Sequence, residues 1–235
     1  MANLNVMKVS LDPQSLREVP LFATMSPSQL AAILAVSEVS TASKGTTIVR
    51  EDDEGNRGFY VLLEGEAKVA IAGPDGREAI LALLTEGDFF GEMSLLDGDP
   101  RSASVRTTSE ARLLHIRREA FVNLMRECPD IAIAMLSELS MRLRQANRRI
   151  EALALMPVNG RVAAALLQFA ETHGVRHKGQ LILRDRPPQA EIAELACTTR
   201  ETVSRVLGAL QKEGVLTIEG RELIILDEEK LRGPA

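Results

Sequence analysis

The chain has 235 residues, 45% of them hydrophobic and 26% charged, a globular balance long enough for two domains. Its net charge of −5 sits unevenly: residues 1–127 carry −6 and residues 160–235 balance, so a nucleic-acid partner requires arginines gathered on one face. Scarce aromatics (3%, no Trp) argue against single-strand stacking platforms, separated Cys128 and Cys197 and scattered His115, His173 and His177 against disulfide and metal frameworks, and the lack of an apolar run of about 18 residues against a membrane span.

With no basic-then-apolar opening to act as a signal peptide, the protein reads as cytoplasmic. Ser26-Pro27 predicts the start of a helix whose apolar face is Leu30, Ile33 and Leu34. Short strands follow at Thr46–Arg50, Phe59–Leu63, Ala67–Ala72 and Ala79–Leu84, with Gly73-Pro74-Asp75-Gly76 as a hairpin turn. Many short, evenly spaced strands predict a sandwich or jelly roll.

Gly91-Glu92-Met93-Ser94-Leu95-Leu96 and Arg101-Ser102-Ala103-Ser104-Val105 are the most informative stretch. Gly91 lets amide groups approach an anion, and residues 92–96 form a short helical turn. Arg101 offers a planar fork to a phosphodiester, Glu92 an acceptor for a sugar hydroxyl, and Ser102 a further donor.

From Pro129 the pattern turns helical. Leu136, Leu139, Leu143, Ala146, Ile150 and Leu153 recur at steps of three and four, a heptad seam that predicts a parallel twofold dimer. The same seam also fits a helix packed on its own β-domain. Met156-Pro157 breaks the helix. Beyond it come a helix Arg161–His173 closed by Gly174, a strand Gln180–Arg184, two close-set helices, and strands Val215–Ile218 and Glu222–Leu226 about Gly220. That order describes a winged helix-turn-helix. The expected fold is α+β in three parts: a β jelly roll over 1–127, a dimerisation helix over 128–156 and a winged helix-turn-helix over 157–235.

In the second of the close-set helices Val203, Val206, Leu207 and Leu210 make a buried face. Arg200, Glu201, Ser204 and Arg205 gather on the other side, where Arg suits guanine and Glu suits cytosine in the major groove. Glu201 also fits a capping box with Thr198. The preceding helix, Gln189–Ala196, packs through Ile192 and Leu195, with Ala193 at the close contact.

Cassette, long helix and Arg-Glu-Thr-Val-Ser-Arg helix resemble, in this order and over roughly residues 21–226, the catabolite-activator/FNR family of bacterial transcription regulators. The resemblance implies a homodimer that binds cyclic AMP as an effector rather than a cofactor, then palindromic double-stranded DNA with TGTGA-like half-sites, and works with RNA polymerase. It implies no enzyme activity, no metal and no membrane partner. The implied nucleotide contacts are Gly91, Glu92, Met93, Arg101, Ser102, Ala103, Arg142 and Asn147; the implied DNA contacts are Arg200, Glu201, Ser204 and Arg205. Ala146 stands where cyclic-AMP-binding members carry a polar side chain, which leaves Asn147 to read the adenine. Another effector, constitutive DNA binding, or a module acting through protein contacts are the alternatives. Cys197 stands where the turn often has Gly, a source of modest strain.

Overall fold

Short strands separated by tight turns pair into two antiparallel sheets in the first part of the chain. The computed structural model describes residues 5–7, 11–55, 58–73, 78–177 and 180–232. It divides into two units, one ending at Leu143 and the other beginning at Arg144. The first unit holds β1 (Asn5–Met7), α1 (Pro27–Ala35), β2 (Ser37–Ala42), β3 (Thr47–Val49), β4 (Phe59–Glu64), β5 (Ala67–Ala72) and β6 (Glu78–Leu84). It continues with β7 (Phe89–Phe90), α2 (Glu92–Leu96), β8 (Ser104–Thr107), β9 (Ala111–Ile116), α3 (Arg118–Glu127) and the start of α4 (Pro129–Leu155). Strand orders are β1-β2-β9-β4-β7 and β3-β8-β5-β6. The jelly-roll expectation therefore holds. The Gly73-Pro74-Asp75-Gly76 turn falls largely outside the described residues.

Alternation along the strands builds two cores. Tyr60, Leu62, Phe90, Val105 and Leu113 pack inside the roll, while Phe59, Val61, Phe89, Leu114 and Ile116 face the helices. Phe59 stacks on Phe121 of α3 with ring centroids 4.2 Å apart, and each such buried ring contributes about 1.5–3 kcal/mol. α1 starts as expected: Ser26 and Gln29 form a reciprocal capping box. α3 was not expected, although Ala120, Phe121, Val122, Leu124 and Met125 give it an apolar side.

Cys128, Ile131 and Met135 join the helix-side core, and Leu139 packs against it. This corrects the expected seam. Leu139 belongs to the protein's own β-domain, whereas Leu136, Leu143 and Ile150 are each 63% exposed along another face of α4. One face of the helix thus packs on its own β-domain, and the rest of the expected seam lies exposed.

The second unit carries the end of α4, then α5 (Val158–His173), β10 (Val175–His177), β11 (Gln180–Leu183), α6 (Gln189–Leu195) and α7 (Arg200–Lys212). β12 (Leu216–Glu219), β13 (Glu222–Ile225) and α8 (Glu228–Arg232) complete it. Its antiparallel sheet runs β10-β11-β13-β12. Gly174 is needed for closeness rather than for turning: its φ is ordinary, but a Cβ there would sit 2.2 Å from the Ala170 carbonyl. A winged helix-turn-helix is what these elements make, with β12 and β13 as the wing.

Candidate nucleotide and DNA sites

The first site is built where β7 gives way to α2. Gly91 caps α2 with φ +86°, a region that side chains avoid. A Cβ on it would also lie 2.6 Å from Arg101 Nη1 and 2.7 Å from the Gly58 carbonyl. Glycine is thus required twice over, by conformation and by space. Arg101 arrives from the segment before β8 and is only 3% exposed. Its Nη1 donates to the Gly91 carbonyl at 2.9 Å and its Nη2 to the Gly58 carbonyl at 2.8 Å. Its Nε is buried with no hydrogen-bond partner. The backbone of Arg101 is pinned as well, exchanging amide bonds with the 52–53 turn at 2.9 and 3.3 Å.

Among the described residues no carboxylate lies within ion-pair distance of Arg101. Burial consequently weighs against its charge. A buried guanidinium with a donor left over can bond an anion.

Glu92, 6% exposed, is the second charged member. Burial pushes its carboxyl up, with Arg142 opposing. Arg142 reaches in from α4: its Nη1 lies 3.4 Å from Glu92 Oε1, its Nη2 donates to the Phe89 carbonyl at 2.8 Å, and its guanidinium stacks over the Phe89 ring at 4.2 Å. Met93 and Ser102 are exposed, 3.5 Å apart from sulfur to hydroxyl, and Ala103 is buried beneath. The structure brings together Gly91, Glu92, Met93, Arg101, Ser102, Ala103 and Arg142. Asn147 belongs to the second unit, exposed on α4. Gly58 was missed by sequence reasoning, since nothing local marks a glycine 43 positions from the arginine it serves.

The second site is the α6–α7 pair. Ile192, Ala193 and Ala196 are buried, while Leu195 is half-buried and contributes less than expected. Cys197 adopts φ +48°, bearing out the strain expected of a non-glycine there. Arg161 of α5 holds the turn, donating to the carbonyls of Ala196 at 3.1 Å and Cys197 at 3.5 Å. The cap of α7 is Thr199, whose hydroxyl accepts from the Thr202 amide at 3.3 Å. Thr198 is therefore not the N-cap of a box with Glu201; Thr199 takes that place, and its side chain bonds the Glu201 carboxyl.

Val203, Val206 and Leu207 bury one face of α7. Arg200, Glu201, Ser204 and Arg205 are all exposed on the opposite side. Hydrogen bonds from its own backbone amide and from the Thr199 side chain hold the Glu201 carboxyl below the usual range, so it is an ionised acceptor at neutral pH. Beside Arg200 opens a concavity of about 430 Å³ lined by Arg186, Pro187, Pro188, Gln189 and Ala190. Arg186 went unremarked in the sequence because it lies outside the recognition helix. Its amide donates to the Arg221 carbonyl at 2.8 Å, beside the wing.

Known proteins bear on both sites. Residues 39–128 match the cyclic nucleotide-binding domain and residues 160–233 the Crp-like helix-turn-helix domain. A CRP-like cAMP-activated global transcriptional regulator of Mycobacterium tuberculosis is 34% identical over 211 residues, 90% of this chain and 94% of that protein. A cyclic AMP receptor protein of Thermus thermophilus is 35% identical over 219 residues, 89% of this chain and 95% of that one. The structure of the c-di-GMP responsive global regulator CLP of Xanthomonas campestris superposes with a TM-score of 0.76 at 26% identity, covering 85% of this chain and 99% of that one. A phosphate-ready cassette followed by a winged helix-turn-helix, with relatives of this identity and span, is the make-up of a cyclic-nucleotide-responsive, DNA-binding transcription regulator, and the chain belongs to the CRP/FNR family.

Proposed function

We propose that cyclic AMP is the effector and that the chain acts as a homodimer on palindromic promoter sites with TGTGA-like half-sites. The observation that carries the effector reading is Arg101, a buried guanidinium with an unpartnered Nε and, among the described residues, no carboxylate within ion-pair distance. One fork suits one cyclic phosphodiester, and Glu92 beside it suits the ribose hydroxyl. Glu92, Arg142, Met93, Ser102 and Ala103 line the site. Asn147 enters on chemistry, since an amide that donates and accepts fits the adenine edge. The cAMP-named relatives at 34% and 35% identity support the same choice.

The exposed Leu136, Leu143 and Ile150 stripe supports a second copy as partner of α4, because such a stripe is costly in water. On DNA, Arg200 and Glu201 read a G/C pair, Ser204 and Arg205 extend the contact, and Arg186 in its concavity meets the phosphate backbone. Nucleotide acts by binding the DNA-competent arrangement more tightly than its rival. RNA polymerase is the expected further partner, and the work is regulatory rather than catalytic.

Calorimetric titration of nucleotide-stripped protein with cyclic AMP, cyclic GMP and cyclic di-GMP tests the effector. One cyclic AMP per subunit, bound in the micromolar range or tighter, about −8 kcal/mol, and ahead of the other two, is expected. Preference for cyclic di-GMP, the ligand named for the Xanthomonas regulator, overturns the choice of effector and leaves the family standing. A salt-dependent shift of a TGTGA palindrome, absent with a scrambled site, tests the DNA reading.

A further inference from the structure

The inner face of the five-stranded sheet carries a row of side chains that the nucleotide reading does not use. Cross-strand pairing sets Glu38 of β2 opposite His115 of β9, His115 opposite Tyr60 of β4, and Tyr60 opposite Phe90 of β7. Directly paired residues share a face, so the four stand in line. His115 Nδ1 lies 4.0 Å from Glu38 Oε2. The imidazole stacks on Tyr60 at 4.6 Å between centroids, and Tyr60 stacks on Phe90 at 5.0 Å.

This row adjoins the two glycines whose carbonyls hold Arg101. Phe90 directly precedes Gly91. His115 sits on Gly58 so closely that a Cβ there would fall 2.0 Å from its Nε2 and 2.6 Å from its Cδ2. Position 58 is therefore glycine because the imidazole occupies the space of a side chain. That same Nε2 is buried and makes no hydrogen bond.

We propose that His115 is a positioning residue of the phosphate site: its neutral imidazole, seated on Gly58, sets the carbonyl that orients Arg101, and a proton on that ring loosens the arginine and weakens nucleotide binding. The tautomer that fits carries its proton on Nδ1, towards Glu38, and turns a bare lone pair to Gly58. Adding a proton at Nε2 places a donor against Gly58 with no acceptor for it among the described residues. The ring must then move, and the Gly58 carbonyl loses its support.

Groups facing the ring from each neighbouring element agree. Glu38 of β2 favours the cation, but it is also paired with Arg117 at 3.2 Å. Arg117, just after β9, and Arg101 itself both oppose the cation, and Tyr60 of β4 offers a stacked neutral ring. Burial is the largest influence and holds the imidazole below the usual histidine range. The sign follows: the site is fully formed above the folded-state pKa of His115 and is lost as pH falls through it.

The inference of weaker nucleotide binding rests on the effector reading, so its test has a readout without nucleotide. In the free full-length protein, the Arg101 Nε–H resonance, assigned by its loss in Arg101→Leu, is followed by NMR from about pH 8 to pH 5 alongside the His115 ring signals. Expected is an Arg101 shift with the midpoint of His115, and a flat response in His115→Phe, which keeps a stacked ring, and in His115→Gln. An Arg101 signal that ignores His115 in the wild type, or that titrates unchanged in a folded variant, overturns the proposal. In the second arm, wild-type cyclic AMP affinity falls below that midpoint by at most about tenfold per pH unit for one proton, and His115→Phe flattens the fall. If the wild type binds no cyclic nucleotide at any pH, the effector reading fails, while the resonance experiment still decides the role of His115.

Discussion

Two arginine sites in one chain work in opposite regimes. Arg101 is sealed among backbone carbonyls at 2.8 and 2.9 Å in the first unit, whereas Arg200 and Arg205 stand in water on α7. In the sealed site, each hydrogen bond is strong and each unpaired group expensive, so one side chain decides binding and its surroundings must be cleared for it. On the open face, water and salt screen every charge, so recognition is shared among several contacts and depends on ionic strength. Gly91 leaves space for Arg101 itself, and Gly58 leaves it for the His115 ring. Among the described residues, α7 needs no such clearance.

The sharpest way to break this contrast is Arg101→Leu. Loss of a desolvated partner for a phosphate costs about 2–5 kcal/mol, so cyclic nucleotide affinity measured by calorimetry falls on the order of 100-fold or more. Near-normal affinity in a folded variant would show that the sealed site is not where phosphate binds. Gly91→Ala tests the clearance itself. Positive φ together with contacts of 2.6 and 2.7 Å predicts about 1–3 kcal/mol of lost stability, read as a lower melting temperature of the full chain. An unchanged melt would mean the cassette has slack.

On the open face, Arg200→Ala and Arg205→Ala are each expected to cost about 1–3 kcal/mol at the base pair they read. Their nucleotide affinity should match the wild type. Arg186→Ala should instead weaken all DNA sequences alike and lower the salt slope by about one; a sequence-selective loss would move it from backbone to base contact. The smallest effect belongs to a surface pair. Glu78 bonds Lys68 at 3.0 Å and lies 3.4 Å from Arg106, and its carboxyl is held low chiefly by the Lys68 hydrogen bond. Its contribution, about 0.5 kcal/mol, is present above the ordinary carboxylate pKa and lost as pH falls through the lowered value. Glu78→Gln should therefore melt slightly early at neutral pH and converge with the wild type in acid.

Elements with strong local signals were read closely from sequence. α2 spans Glu92–Leu96 as expected, β5 spans Ala67–Ala72, and α7 starts at Arg200. Each is bounded by a glycine, a cap or a turn whose conformational demand is local. β2, β9 and α3 went unread, because their residues are shared between faces and fixed by neighbours far along the chain. Leu139 shows the limit plainly: heptad spacing places it in a seam, but the α3–α4 junction at Cys128 turns it onto the β-domain core. Spacing sets which residues share a face, not what that face meets.

The sequence by itself determined the parts: a glycine–glutamate turn with a returning arginine, a heptad helix, and a helix with an apolar face and an arginine-rich one. These follow from short-range sterics and periodicity, which a few neighbouring residues settle. Tertiary structure alone decided that Arg101 is held by Gly58 as well as Gly91, that Arg142 reaches Glu92, and that His115 fills the space over Gly58. Those contacts depend on strand register across the sheet, and register is set only when the whole core packs.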